Sequence, residues 1–236
     1  MNILTDTIEN YYSGHRISSE LYKRSQEYKT LAILRYLYPG KYDSMVVSEK
    51  PDLQDSAHGI GIEVTTAIPQ EEMRAMSEYC KYCSTHGRKE KEKIIDRIQD
   101  TGSKLRHVNL GNKSIESLET PRVDEKRIIQ SSIIRKIEKI NNYDGFDHLG
   151  VALILDIPTK NAEDSIINWI KEIITNNDEK IYDFVYVISH RFCVYFDSQT
   201  QKHSRREITK NEYKRLSIIG RMTAEGTISL TNPEWN

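Results

Sequence analysis

Apolar residues recur at a helical period near the start of the chain: Leu21, Tyr28, Leu31, Ala32, Leu34 and Leu37 share one face. Ser18 or Ser19 can cap that helix, and Pro39-Gly40 ends it. Residues 42–48, centred on Met45, Val46 and Val47, then read as a strand, and residues 51–55 as a second extended segment. A turn-rich stretch, Ser56-Ala57-His58-Gly59, leads into a β-branched run over 60–68 that Pro69 closes.

The pattern changes at Gln70. Up to Pro121 the chain is rich in charge, Cys, His, Ser and Asn, with one helix expected around residues 89–99. Asp124 can cap another helix, in which Ile128, Ile129, Ile133, Ile134, Ile137 and Ile140 mark the apolar side. Lys126, Arg127, Arg135, Lys136 and Lys139 mark its polar side. Residues 149–157 form a near-continuous apolar run of strand length, as in a strand buried on both faces. A helix over 162–175, strands over 182–189 and 192–196, and a polar, weakly structured tail from Ser198 complete the prediction. The order is αβββ, an insertion, then αβαββ. This describes an α/β protein with a mixed sheet covered by helices on both faces. One domain is expected over 1–236, with a core at about 17–69 and 124–196, an inserted helical lobe at 70–123 and an extension at 197–236.

Composition narrows the class. Of 236 residues, 34 are basic and 35 acidic, a formal charge of −1 that excludes binding by gross basicity but allows patches that cancel in the sum. The densest apolar run is far shorter than the ~20 residues a bilayer requires, so no membrane partner is expected. The first residues, Met1-Asn2-Ile3-Leu4-Thr5-Asp6, carry no signal-peptide pattern, and three Cys make an odd number; both fit a reduced cytoplasmic setting.

Candidate chemistry centres on Lys50-Pro51-Asp52-Leu53-Gln54 and Gly61-Ile62-Glu63-Val64-Thr65-Thr66-Ala67, with ten residues between Asp52 and Glu63. Alternation puts Ile62, Val64 and Thr66 on one side of the strand and Glu63, Thr65 and Ala67 on the other. An acid within such a run is costly to bury unless it is paired or binds a metal. The His58-Gly59 turn can bring Asp52 beside it. Two carboxylates on neighbouring strands suit a hard divalent cation, most naturally Mg²⁺, which keeps several waters and takes one or two protein carboxylates.

Pro51-Asp52 followed across a hairpin by Glu63-Val64-Thr65 resembles the PD-(D/E)xK signature of restriction-endonuclease-like nucleases, whose common core is αβββαβ. The resemblance spans residues 17–158. It implies that Asp52 and Glu63 hold Mg²⁺, for which Mn²⁺ can substitute, with help from the Val64 carbonyl. It also implies a carboxylate from the first helix, Glu27 before Glu20. The implied activity is endonucleolytic hydrolysis of DNA phosphodiesters by a metal-activated water, in restriction or phage defence, with a homodimer cutting both strands. One departure stands out: Thr65 occupies the position of the motif lysine. Lys126 and Lys136, ten residues apart on the helix after the third strand, are the candidates to replace it. The alternative is a decayed site on the same fold, kept as a module that binds nucleic acid or a protein.

Three further features carry lesser expectations. Cys80-Lys81-Tyr82-Cys83 with His86 is half of a zinc site, with His107 or Cys193 to complete it, or else a reduced cysteine pair on a helix. Lys202, Arg205 and Arg206 form a basic run suited to phosphate contact or to an exposed loop. Tyr11, Tyr12, Tyr79, Tyr82 and Tyr186 are able to stack on bases. No glycine-rich dinucleotide or P-loop, zincin or nucleophile-elbow pattern occurs.

Overall fold

The computed structural model describes residues 18–110, 113–121, 124–155, 163–177 and 181–230. Tyr11, Tyr12, the first six residues, the end of the apolar run at 156–157 and Ala162 lie outside them. The chain divides into two compact units, Met1–Ala67 with Ile129–Asn236, and Ile68–Ile128.

The described part of the larger unit starts with helix α1 (Ser19–Leu37), whose N-cap Ser18 accepts a hydrogen bond from the Leu21 N–H. Strands β1 (Val46–Val47), β2 (Leu53–Asp55) and β3 (Ile60–Thr66) follow. The first strand is shorter than residues 42–48. There Arg35 donates to the carbonyls of Tyr42, Asp43 and Met45, which fastens the segment to α1 rather than to a strand ladder. After the smaller unit come α4 (Glu125–Ile137), β6 (His148–Ile154), α5 (Glu163–Thr175), β7 (Phe184–Ile188), β8 (Phe192–Asp197), β9 (His203–Glu207) and α6 (Lys210–Ala224). Asp124 caps α4 by accepting from the Lys126 N–H.

The sheet order is β1-β2-β3-β6-β7-β8-β9. The outer pairs are antiparallel, while β3-β6 and β6-β7 are parallel, each parallel step requiring a crossover that α4 and α5 provide. Alternation then assigns the faces. Ile62, Val64, Ala152, Ile154, Tyr186, Ile188 and Cys193 join one buried cluster with Leu31, Leu34 and Leu37 of α1 and Leu216 and Ile219 of α6. The other face is as dry: Val151, Leu153, Val185, Val187, Val194 and Phe196 are buried, as are Ile129, Ile133 and Ile137 of α4 and Ile166, Ile167, Ile170 and Ile173 of α5, whereas Ile134, expected on the apolar side of α4, is exposed.

The expectation of a weakly structured tail is therefore corrected. Thr209 and Glu212 form a capping box that starts α6, and α6 packs on α1 so closely that a Cβ on Gly220 would sit 2.5 Å from the Lys29 backbone nitrogen. Charged residues on the outer face of this helix hide a buried stripe of Leu216, Ile218 and Ile219.

The smaller unit corrects the expectation of a purely helical lobe. It holds α2 (Gln70–Ser84), α3 (Arg88–Gln99) and an antiparallel hairpin, β4 (Lys104–Leu110) with β5 (Lys113–Glu119). Its core is Tyr82, Ile94 and Ile98, with Tyr79, Ile95, Leu105 and Leu118 against it. The buried Glu78 carboxylate joins Lys81 at 2.5 Å to Arg97 at 2.7 Å and so ties α2 to α3.

Candidate metal-dependent active site

Asp52 directly precedes β2, and the β2-β3 pairing of Leu53 with Ile62 sets it beside the middle of β3. Gly61 permits this approach, because a Cβ there would lie 2.6 Å from Pro51 Cγ. The Val64 N–H donates to Asp52 Oδ2 at 2.9 Å, which orients that carboxylate. Glu63 points to the opposite face from Ile62 and Val64, and its in-register neighbour is Val151. Asp52 is 2% exposed and Glu63 3%, so neither charge is solvated by bulk water.

Lys136 supplies the compensation. From the last turn of α4 its Nζ lies 3.4 Å from Asp52 Oδ2 and also contacts Glu63 Oε2. A cation at a helix C-terminus is favoured by the helix dipole, and the Tyr182 hydroxyl donates to the Lys136 carbonyl at 2.8 Å, satisfying a helix-end acceptor. The second Glu63 oxygen accepts from the Tyr143 hydroxyl at 2.5 Å. Burial and this bond to Glu63 raise the Tyr143 phenol well above its usual range, so it remains a donor.

A second cation lies on the other side of Asp52. Lys23 of α1 is 3.3 Å from Asp52 Oδ1 and 3.3 Å from Glu27 Oε1. Burial and the neighbouring Asp52 charge push the Glu27 carboxyl up to about 7, against the pull of Lys23. Partial burial lowers the Lys23 ammonium, but Asp52 and Glu27 outweigh it and the net shift is upward. Glu20 is exposed, on the rim of a pocket of about 270 Å³ that Lys23, Glu27 and Ser48 also line.

Asp52 thus links two pairs within the larger unit, Glu63 with Lys136 and Glu27 with Lys23. Thr65 is half-buried on the Glu63 face, and its hydroxyl carries no charge. Lys126 lies ten residues earlier on α4, about 15 Å along the helix axis, within the smaller unit, and is not the lysine that meets the carboxylates. Lys202, Arg205 and Arg206 are not brought to this cluster. The run lies at β9, four strands from β3 and hence roughly 19 Å across the sheet, and Arg205 pairs with Glu207 at 2.8 Å. Tyr82 and Tyr186 are buried, which corrects their assignment as base-stacking residues. Tyr79 donates its hydroxyl to the Glu116 carbonyl. Cys80 and Cys83 are exposed thiols on α2, and Cys193 is buried in the core.

Sequence reasoning missed Lys23, Tyr143 and Tyr182. Lys23 carried a signal, since it stands four residues before Glu27 on a helix. The tyrosines carried none, because Tyr143 reads as part of a turn and Tyr182 as the start of a strand.

Among the described residues no three His, Cys, Asp or Glu side chains converge on one point. The donor set nevertheless fits Mg²⁺, which needs only one or two protein carboxylates and otherwise keeps water. Asp52 and Glu63 already share one cationic partner, the Lys136 ammonium. The N–H and C=O of a strand residue leave on the same side, so the Val64 carbonyl faces the Asp52 side as well. No helix among the described residues is long and apolar enough to cross a membrane. Compared with protein-family models, curated proteins and solved structures, the chain gives no match.

Proposed function

We propose that this protein is a Mg²⁺-dependent nuclease of restriction-endonuclease-like design that hydrolyses DNA phosphodiester bonds. The observation that carries the reading is the contact of one lysine, Lys136, with both Asp52 and Glu63, which puts a basic group where the strand motif has Thr65. The order α1-β1-β2-β3, then α4 and a β6 parallel to β3, agrees with the αβββαβ core that the motif implies.

Asp52 and Glu63, with the Val64 carbonyl and Glu27 nearby, would hold the ion. When bound, it supplies a more acidic water and positive charge beside the scissile phosphate. The protein's own groups do the rest. Val64 N–H and Tyr143 Oη hold the two carboxylates in fixed orientations. With those carboxylates neutralised, the Lys136 ammonium would be free to donate to an anionic phosphate oxygen or to the attacking water. Tyr182 holds the helix end that carries it.

The test is cleavage of supercoiled and linear DNA in Mg²⁺ or Mn²⁺ by wild type, Asp52→Asn, Glu63→Gln and Lys136→Ala. Each substitution is expected to lower the rate by about 10²–10³-fold, the usual effect of losing one preorganised electrostatic group. Cleavage that survives both carboxylate substitutions would overturn the reading. DNA binding without cleavage in either metal would replace it with that of a binding module.

A further inference from the structure

At the far side of the sheet from the carboxylates, two cations sit on a bed of tyrosines. Lys41 follows the turn that ends α1, and its Nζ lies 5.7 Å from the Tyr38 ring centre, 5.1 Å from Tyr42 and 5.3 Å from Tyr195. Arg206 of β9 stacks on Tyr38 as well, its guanidinium carbon 4.5 Å from the ring centre. Sharing one ring keeps the two charges within about 10 Å of each other. Both residues are exposed, and among the described residues no carboxylate lies within ion-pair distance of either. The nearby acids are engaged elsewhere: Glu207 with Arg205, and Asp197 with Thr200.

The bed itself is rigid. Tyr38, Tyr42, Tyr186 and Tyr195 pack edge to face or tilted, with ring centres 5.2–6.3 Å apart, and the Tyr42 and Tyr186 hydroxyls are 2.5 Å from each other. Partial burial and the Arg206 charge hold the Lys41 ammonium below its usual range, so the charge it feels is another cation. Each cation–π contact contributes only about 0.5–1 kcal/mol at an exposed site. Two like charges held together on a rigid support, with no acid between them, form a receptor for an anion with several oxygens.

We propose that Lys41 and Arg206 form a phosphate-binding site and, resting on the nuclease reading, that it takes a backbone phosphate of the DNA strand at a distance from the cleavage site. Arg206 donates through its planar fork and Lys41 as a point charge, while the tyrosines hold both in place. Arg205, paired with Glu207 on the opposite face of β9, is not part of this site.

The test is metal-free DNA binding, read by fluorescence anisotropy across a salt series, so that it does not depend on catalysis. The double variant Lys41→Gln/Arg206→Gln should weaken binding about tenfold and flatten the log–log salt dependence by about 1.8, the value for two lost phosphate contacts. Lys41→Arg with Arg206→Lys should restore most of both, which guards against a folding defect. Unchanged affinity and slope in the double variant would overturn the proposal, even if Asp52→Asn abolishes cleavage and the nuclease reading stands. Inorganic phosphate, titrated by calorimetry, separates the source. Phosphate binding that needs Lys41 and Arg206 while DNA affinity does not would overturn the strand assignment in favour of a free phosphate.

Discussion

Lys136 is asked to do two things, and they can be separated. In the metal-free protein it neutralises two buried carboxylates, and removing one partner of a buried ion pair costs about 3–5 kcal/mol. Lys136→Met is therefore expected to lower stability to denaturant by about that much in EDTA near neutral pH, and millimolar Mg²⁺ should restore part of the loss by binding the vacated acids. Equal loss with and without Mg²⁺ would show that the carboxylates do not form a cation site. Tyr143→Phe removes a single bond to Glu63, and unfolding should report about 1–3 kcal/mol, as for a hydrogen bond to a charged group. On the proposed nuclease reading its effect on cleavage should appear in kcat more than in KM, since Tyr143 orients Glu63, a carboxylate assigned there to the ion. At this scale Glu63 was legible as an acid within an apolar run and Asp52 from its place across the hairpin, while Glu27 was reached only through the family resemblance. Choosing Lys136 over Lys126 was not possible from helical period alone, because both share a face of α4.

Elements were legible where periodicity is set by one buried face. α1, α4 and β6 show their apolar stripes openly, and the structure starts each within a residue of the expected position, while α4 ends at Ile137 and β6 at Ile154, three residues before the expected ends. The hairpin β4-β5 was missed because its apolar residues are few and break strict alternation, Leu105, Val108 and Leu110 on one strand and Ile115 and Leu118 on the other, although the Gly111-Asn112 pair between them is a hairpin signal. α6 was missed because its buried stripe is narrow and its remaining residues are charged. Two outcomes test these elements. Gly220→Ala must separate α6 from α1 or strain both, so a loss of about 1–3 kcal/mol in urea unfolding is expected; a neutral result would mean the helices are not in close contact. Glu78 joins Lys81 and Arg97, and these bonds hold its carboxyl below the usual range. A folded-state pKa depressed in this way stabilises the protein above the unfolded pKa and ceases to do so as pH falls through the folded one. Glu78→Gln should thus lower stability by about 2 kcal/mol at neutral pH, with the difference from wild type shrinking as pH falls below the ordinary carboxyl range and through the depressed folded-state value. A difference that does not change with pH would exclude the ion pair as its source.

For the whole molecule, the near-zero net charge of −1 hides a definite distribution: acids at Asp52, Glu63 and Glu27, and two bases, Lys41 and Arg206, on one tyrosine ring. The C-terminal segment belongs to the same core as α1, since Ile208, Leu216 and Ile219 share its buried cluster and Ile218 is also buried. Four such side chains at roughly 2 kcal/mol each approach the total stability of a typical domain, about 5–15 kcal/mol. Truncation after Glu207 should therefore abolish cooperative unfolding, and a truncated chain with an unchanged denaturant midpoint would contradict this packing. The amino-acid sequence by itself determined the layered α/β architecture, the doubly buried β6 and the pair of acids flanking a hairpin. Each follows from local spacing of apolar and polar residues, which acts over one element or one turn. Only the tertiary structure decided which lysine meets those acids, which tyrosines hold them, and that residues far apart in sequence, Lys41 and Arg206, share one ring. Such contacts depend on strand order and helix placement, and long-range packing is not written in any local period.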